Sequence, residues 1–274
     1  MRRWLAIIII FISISAVLAG RFSYEAKLTE IAEAAKLDRE FHLKEQSQHK
    51  EEEKIQDEET ASESINELTQ GLDPAISALI ESHYLTNETM QVAAFGSRAL
   101  VDSEDEGIIP WPVLLEELLN EGYDNDFFEI QTYSYERLTS LEVIEQGFHD
   151  EVASFKPDLL ILEPFMLANN GVVSVNDSLV SMELIIDAFE RENEDIIILI
   201  QPPQPMYGSF YYPQQVEDLK NYVLENDMFY VDHWEAWPDI EDDELLNFTS
   251  ADYYVPTQEG HKLWAEALRK YFIR

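Results

Sequence analysis

The chain has 274 residues, 46% of them hydrophobic, enough for one sizeable core with further segments attached. Its 55 Asp and Glu against 18 Lys and Arg give a formal net charge of -37, which repels phosphate backbones and anionic lipid and argues against a nucleic-acid partner. It has no cysteine, which excludes disulfides, thiolate metal sites, thiol nucleophiles and a cysteine-borne lipid anchor.

The N-terminus reads as an address. Arg2 and Arg3 precede an apolar and Ser-containing run from Trp4 to Ala19, the pattern of a secretory segment. Val17-Leu18-Ala19 offers a small-residue cleavage site; retained, residues 1–20 would be a signal anchor with the rest of the chain outside the membrane. Residues 21–75 form a second region. Leu28, Ile31, Ala35 and Leu37 have weak helical spacing, and Gln46 to Ser64 is almost devoid of apolar residues. This region is expected to be an acidic stalk, a solvated helix or a disordered spacer.

Residues 76–274 carry the pattern of an α/β domain. Strands are expected at Gln91–Phe95, Phe127–Thr132, Asp158–Glu163, Asp195–Gln201 and Met228–Asp232. The spacing between them predicts helices over Trp111–Asn120, Glu136–Phe155, Val175–Asn193, Pro213–Asn226 and Thr257–Tyr271. Short apolar strands alternating with helices imply a parallel sheet of about five strands with helices on both faces. Ligands of such sheets sit at the C-terminal ends of the strands. That rule gathers Gly96-Ser97, Tyr133-Ser134, Glu163 to Asn170, Gln201 to Tyr207 and Asp232-His233 on one rim. Met206, Tyr207, Phe210, Tyr211 and Tyr212 make an aromatic cluster beside it, either a sugar- or acyl-contacting wall or a packed loop. No Gly-rich phosphate loop follows the first strand, so no cofactor is expected.

Four stretches together resemble the SGNH/GDSL hydrolase superfamily. They are Ala93-Ala94-Phe95-Gly96-Ser97, the helix from Trp111 to Leu119, the strand entry Lys156-Pro157-Asp158, and the block from Asp252 through Gly260-His261 to Trp264. The resemblance implies a three-layer flavodoxin-like fold and Ser97 as nucleophile. It also implies Asp252 as the acid that orients a base, with Ser134 and Asn169 or Asn170 lining an oxyanion hole. Its substrates would be carboxylic esters, on a small molecule or as O-acetyl groups of an envelope or extracellular polysaccharide.

The sequence departs from that pattern where the base should be. Val255 occupies the place of the catalytic His, three residues after Asp252. A serine hydroxyl is a poor nucleophile at neutral pH without a base in reach. His233, after the fifth strand, and His261, opening the last helix, are the imidazoles left to consider; each equally reads as a packed structural histidine. A catalytically silent binding or scaffold module on the same fold is the alternative.

Overall fold

The computed structural model describes residues 2–102, 107–135, 137–250 and 255–274; within its first helix the side chains described are those of residue 8, residues 11–30 and scattered positions up to 44, then all from residue 61. The chain divides into two units, one ending at Ala61 and one from Ser62 to Arg274.

The first unit is helical. Helix α1 runs from Arg2 to Thr69. Phe11, Val17 and Phe22 are each at least 70% exposed. Arg21 and Glu25 make an i,i+4 ion pair at 3.0 Å. The membrane span expected of the N-terminal run is not found. Among the described residues no helix is long and apolar enough to cross a membrane; the run from Trp4 to Ala19 falls short of the ~20 residues a span needs.

The second unit begins before the apolar patterning at residue 76 would place it. The last turns of α1 belong to it: Ile65 is buried, and Thr69 Oγ1 donates to Glu81 Oε1 of helix α2 (Pro74–Thr86) at 2.7 Å. The very end of the chain closes on the same place, with Arg274 N–H donating to Leu68 O.

Five parallel strands follow: β1 (Met90–Gly96), β2 (Phe128–Ser134), β3 (Leu159–Leu162), β4 (Ile197–Ile200) and β5 (Phe229–Tyr230), in the order β2-β1-β3-β4-β5. Strand β3 is buried at every position, which is why its sequence shows no alternation. Side chains nonetheless alternate between two cores. Val92, Ala94, Leu159, Ile161, Leu199 and Val231 join the core on one side, with α3 (Trp111–Gly122) and α9 (Gln258–Arg269). Ala93, Phe95, Leu160, Leu162 and Ile200 join the other, with α5 (Phe148–Ala153), α7 (Val175–Glu192) and α8 (Tyr212–Glu225).

The helix expected over residues 136–155 is instead two short ones, α4 (Ser140–Glu145) and α5. Gly147 separates them at φ 75, a left-handed conformation that breaks a helix and that glycine adopts at little cost. Thr139 starts α4 with a capping box closed by Glu142.

The strand order has a functional consequence. After β1 the chain passes to the side of α3; after β3 it passes to the side of α7. Neighbouring strands whose connections leave to opposite sides open a crevice at their C-terminal ends. Here the switch falls between β1 and β3, which marks their C-terminal ends as the place where a ligand is expected.

Candidate active site

Ser97 stands at the end of β1. It caps the 3-10 turn Arg98–Leu100, and its Oγ accepts from Ala99 N–H at 3.2 Å. Glu163 stands at the end of β3, and its N–H extends the ladder by donating to Phe95 O at 2.9 Å. The two residues meet at the switch point between the strands. Ser97 N–H donates to Glu163 Oε2 at 2.9 Å, and Met166 N–H, in the short helix α6 (Met166–Asn169), donates to Oε1 at 3.1 Å. Glu163 is fully buried and Ser97 is 2% exposed. Burial pushes the Glu163 carboxyl above its ordinary range; hydrogen bonding from the Ser97 side chain and from backbone N–H groups opposes that rise without cancelling it.

Gly96 exists for this contact. A Cβ there would meet Glu163 Cβ and O at 2.8 Å and Oε2 at 3.0 Å, so no larger residue fits between the serine and the buried acid. Glu163 lies on the rim that strand ends define, yet sequence reasoning gave it no role. The signal was available: a glycine before the serine, and an acid ending a wholly apolar strand.

Ser134, the last residue of β2, is brought to the same place. It pairs with Gly96 in register, and its Oγ donates to Ser97 O at 3.1 Å. Asn169 is engaged elsewhere. Its Nδ2 donates to Ser140 Oγ and Ser178 Oγ, each at 2.9 Å, and its Oδ1 accepts from Ser140 N–H at 3.0 Å. The amide thus braces α4 against α7, and neither of its N–H bonds is left for an oxyanion. Asn170 is exposed, with its backbone N–H on Leu167 O.

Neither imidazole is paired with Ser97. His261 Nδ1 accepts from Trp111 N–H at 3.2 Å, and its Nε2 faces Asp102 O at 2.7 Å. His233 Nδ1 accepts from Trp237 Nε1 at 3.0 Å, and its Nε2 faces Pro202 O at 2.8 Å. A donor on Nδ1 and a carbonyl on Nε2 fix the neutral Nε2–H tautomer in both rings. Burial pushes both down to about 4. The rings serve packing: Trp264 stacks on His233 at 4.4 Å and on Trp111 at 5.3 Å, and its Nε1 donates to Gln201 Oε1 at the end of β4. His261 also fastens the loop after Ser97, since Asp102 in that loop is ion-paired with Arg98 at 2.6 Å.

Val255 offers only its backbone, whose O accepts from Ser250 N–H at 2.8 Å; Asp252, expected to orient the base, lies outside the described residues. The aromatic cluster divides. Tyr212 is buried and donates to Gln204 O, Tyr207 OH is bonded to Asp243, and Phe210 and Tyr211 form an edge-to-face pair more than 70% exposed. Among the described residues no group of His, Asp and Glu is arranged to hold a metal.

Comparison of the sequence with family models and with curated proteins finds no match. The fold does match solved structures. A protein assigned to the G-D-S-L lipolytic family from Desulfitobacterium hafniense superposes with a TM-score of 0.55 at 18% identity, over 67% of this chain and 99% of that one. A lipase/acylhydrolase from Enterococcus faecalis gives 0.54 at 14% identity, over 68% and 98%. A carbohydrate esterase family 3 protein from Talaromyces cellulolyticus gives 0.52 at 13% identity, over 66% and 95%. The unit from Ser62 to Arg274 therefore carries the SGNH/GDSL hydrolase fold.

Proposed function

We propose that this domain is a serine ester hydrolase in which Ser97 attacks the acyl carbon of a carboxylic ester. The observation that carries the reading is the position of Ser97, at the end of β1 and beside the end of β3, where the strand order opens a crevice. Attack there would give an acyl-serine, which water then cleaves. Ser134, whose Oγ lies 3.1 Å from Ser97 O, is the candidate donor to the developing oxyanion.

The substrate class we favour is an acetyl ester on a polysaccharide. A carbohydrate esterase shares the fold, and the exposed Phe210–Tyr211 pair follows β4 on the same rim and offers apolar faces of the kind on which sugar rings stack. The location we favour is outside the cytoplasmic membrane, directed by Arg2, Arg3 and the apolar run behind them. N-terminal sequencing of the mature protein distinguishes a cleaved secretory segment from a retained anchor.

One observation favours a second reading, a silent binding module: Val255 stands where the base should, and both candidate imidazoles are bonded into the core. Hydrolysis of p-nitrophenyl acetate decides between them. The enzyme reading expects turnover by the wild type and a fall of at least about 100-fold in Ser97→Ala. Equal rates for the two proteins contradict it.

A further inference from the structure

We propose that Glu163 is the proton acceptor for Ser97, the base that Val255 cannot be and that neither imidazole supplies. The inference rests on the reading of Ser97 as nucleophile.

Geometry carries it. Glu163 is the acidic side chain that the fold delivers to Ser97: its Oε2 accepts from Ser97 N–H at 2.9 Å, which places the carboxylate beside the serine. It is held from both oxygens, by Ser97 N–H on Oε2 and Met166 N–H on Oε1, so it is aimed before substrate arrives. Gly96 allows the close approach, since a Cβ there would stand 2.8–3.0 Å from Glu163. Among the described residues no cation pairs with it, so it is not committed to a salt bridge. Of the other titratable groups around it, Tyr212 of α8 feels its charge. The Arg98–Asp102 pair is satisfied within itself, and His233 and His261 bond to other partners. Burial raises the carboxyl toward neutrality, which makes a carboxylate a better proton acceptor.

The steps balance. Glu163 takes the Ser97 Oγ proton as Oγ adds to the ester carbonyl carbon, and the carbonyl π pair moves onto oxygen. Collapse breaks the bond to the leaving alkoxide, which recovers the proton from Glu163. A water then gives its proton to Glu163 as its oxygen adds to the acyl carbon, and collapse returns the proton to Ser97 Oγ with release of the acid.

The test is the pH dependence of kcat/KM for p-nitrophenyl acetate between pH 4.5 and 9, in wild type and in Glu163→Gln, with folding checked by circular dichroism. The proposal expects the wild-type rate to rise tenfold per pH unit to a plateau, with its inflection above the ordinary carboxylate range. In Glu163→Gln the plateau should drop at least about 100-fold and the inflection should vanish. A variant that keeps the wild-type inflection and loses less than about tenfold overturns it. Should the variant not fold, the infrared carboxyl band of the wild type gives the second readout. A buried carboxyl titrating with the rate inflection supports Glu163, and a rate inflection that no carboxyl follows overturns it. A fluorophosphonate separates this proposal from the one beneath it. Labelling of Ser97 that is equally fast and equally pH-dependent in Glu163→Gln removes Glu163 alone, whereas no labelling of Ser97 in wild type removes the serine hydrolase reading and this one with it.

Discussion

His233 and His261 show how the same residue type can be chemistry in a sequence and architecture in a structure. Each ring accepts an N–H on one nitrogen and meets a carbonyl with the other, and those four partners come from Trp111, Asp102, Trp237 and Pro202. Three of the four are backbone groups or far away in the chain, so no motif around either histidine could reveal them. The consequence is measurable. The folded rings sit at about 4 against an ordinary 6.5, so the unfolded chain binds more protons between those values. The contribution of these rings to stability is full above pH 6.5 and is lost as pH falls toward 4, by roughly 3 kcal/mol per ring at ~1.4 kcal/mol per pH unit. Urea denaturation of wild type and His261→Gln at pH 7 and pH 4.5 checks this. The variant should be weaker by about 1–3 kcal/mol at pH 7 and should lose less between the two values than wild type does. An identical pH dependence in both proteins would show that His261 is not the linked group.

At the scale of elements, the alternation of apolar strands with helical spacing is enough to place the sheet, and β3 and β4 fall inside their expected spans. The parallel direction of the strands and the two-sided helix layers follow from chain connectivity and were legible for the same reason. Three features were not. The break at Gly147 depends on one left-handed residue inside a stretch whose apolar spacing suits a continuous helix. The bracing role of Asn169 depends on Ser140 and Ser178, which approach it only after α4 and α7 pack. The partnership of Ser97 with Glu163 depends on β1 and β3 being neighbours, a pairing of strands separated by β2 in sequence. The tight fit at that junction predicts that Gly96→Ala destabilises the domain by about 1–3 kcal/mol, since a methyl group must displace Glu163 or its strand. Thermal unfolding reads this directly, and an unchanged midpoint would mean that β1 and β3 can separate at no cost. Gly260 is a second such place: a Cβ there would stand 2.1 Å from Phe248 O, so α9 can begin only with glycine at that position.

For the whole molecule, the division at Ala61 and Ser62 makes a prediction about where the chain can be cut. A protein beginning at Ser62 retains Ile65, the Thr69–Glu81 hydrogen bond and the closure of Arg274 on Leu68, and should unfold at the wild-type denaturant midpoint. A protein beginning at Asp73 loses them all. Burial of Ile65 alone is worth about 1.5–3 kcal/mol, so that protein should be weaker by at least this much. Equal midpoints for the two would place the boundary after α1. The apolar patterning pointed to residue 76 because the end of α1 contributes few core side chains, Ile65 among them, from a segment otherwise polar.

The strand order and the position of Ser97 reduce the function of the domain to one oxygen atom, Ser97 Oγ. Its most direct test is the site of reaction of a fluorophosphonate with the wild-type protein, mapped by peptide mass spectrometry after mild denaturation. One adduct per molecule is expected, on Ser97, absent from Ser97→Ala and accompanied by loss of esterase activity. No adduct at Ser97 under conditions where the protein hydrolyses p-nitrophenyl acetate would contradict it.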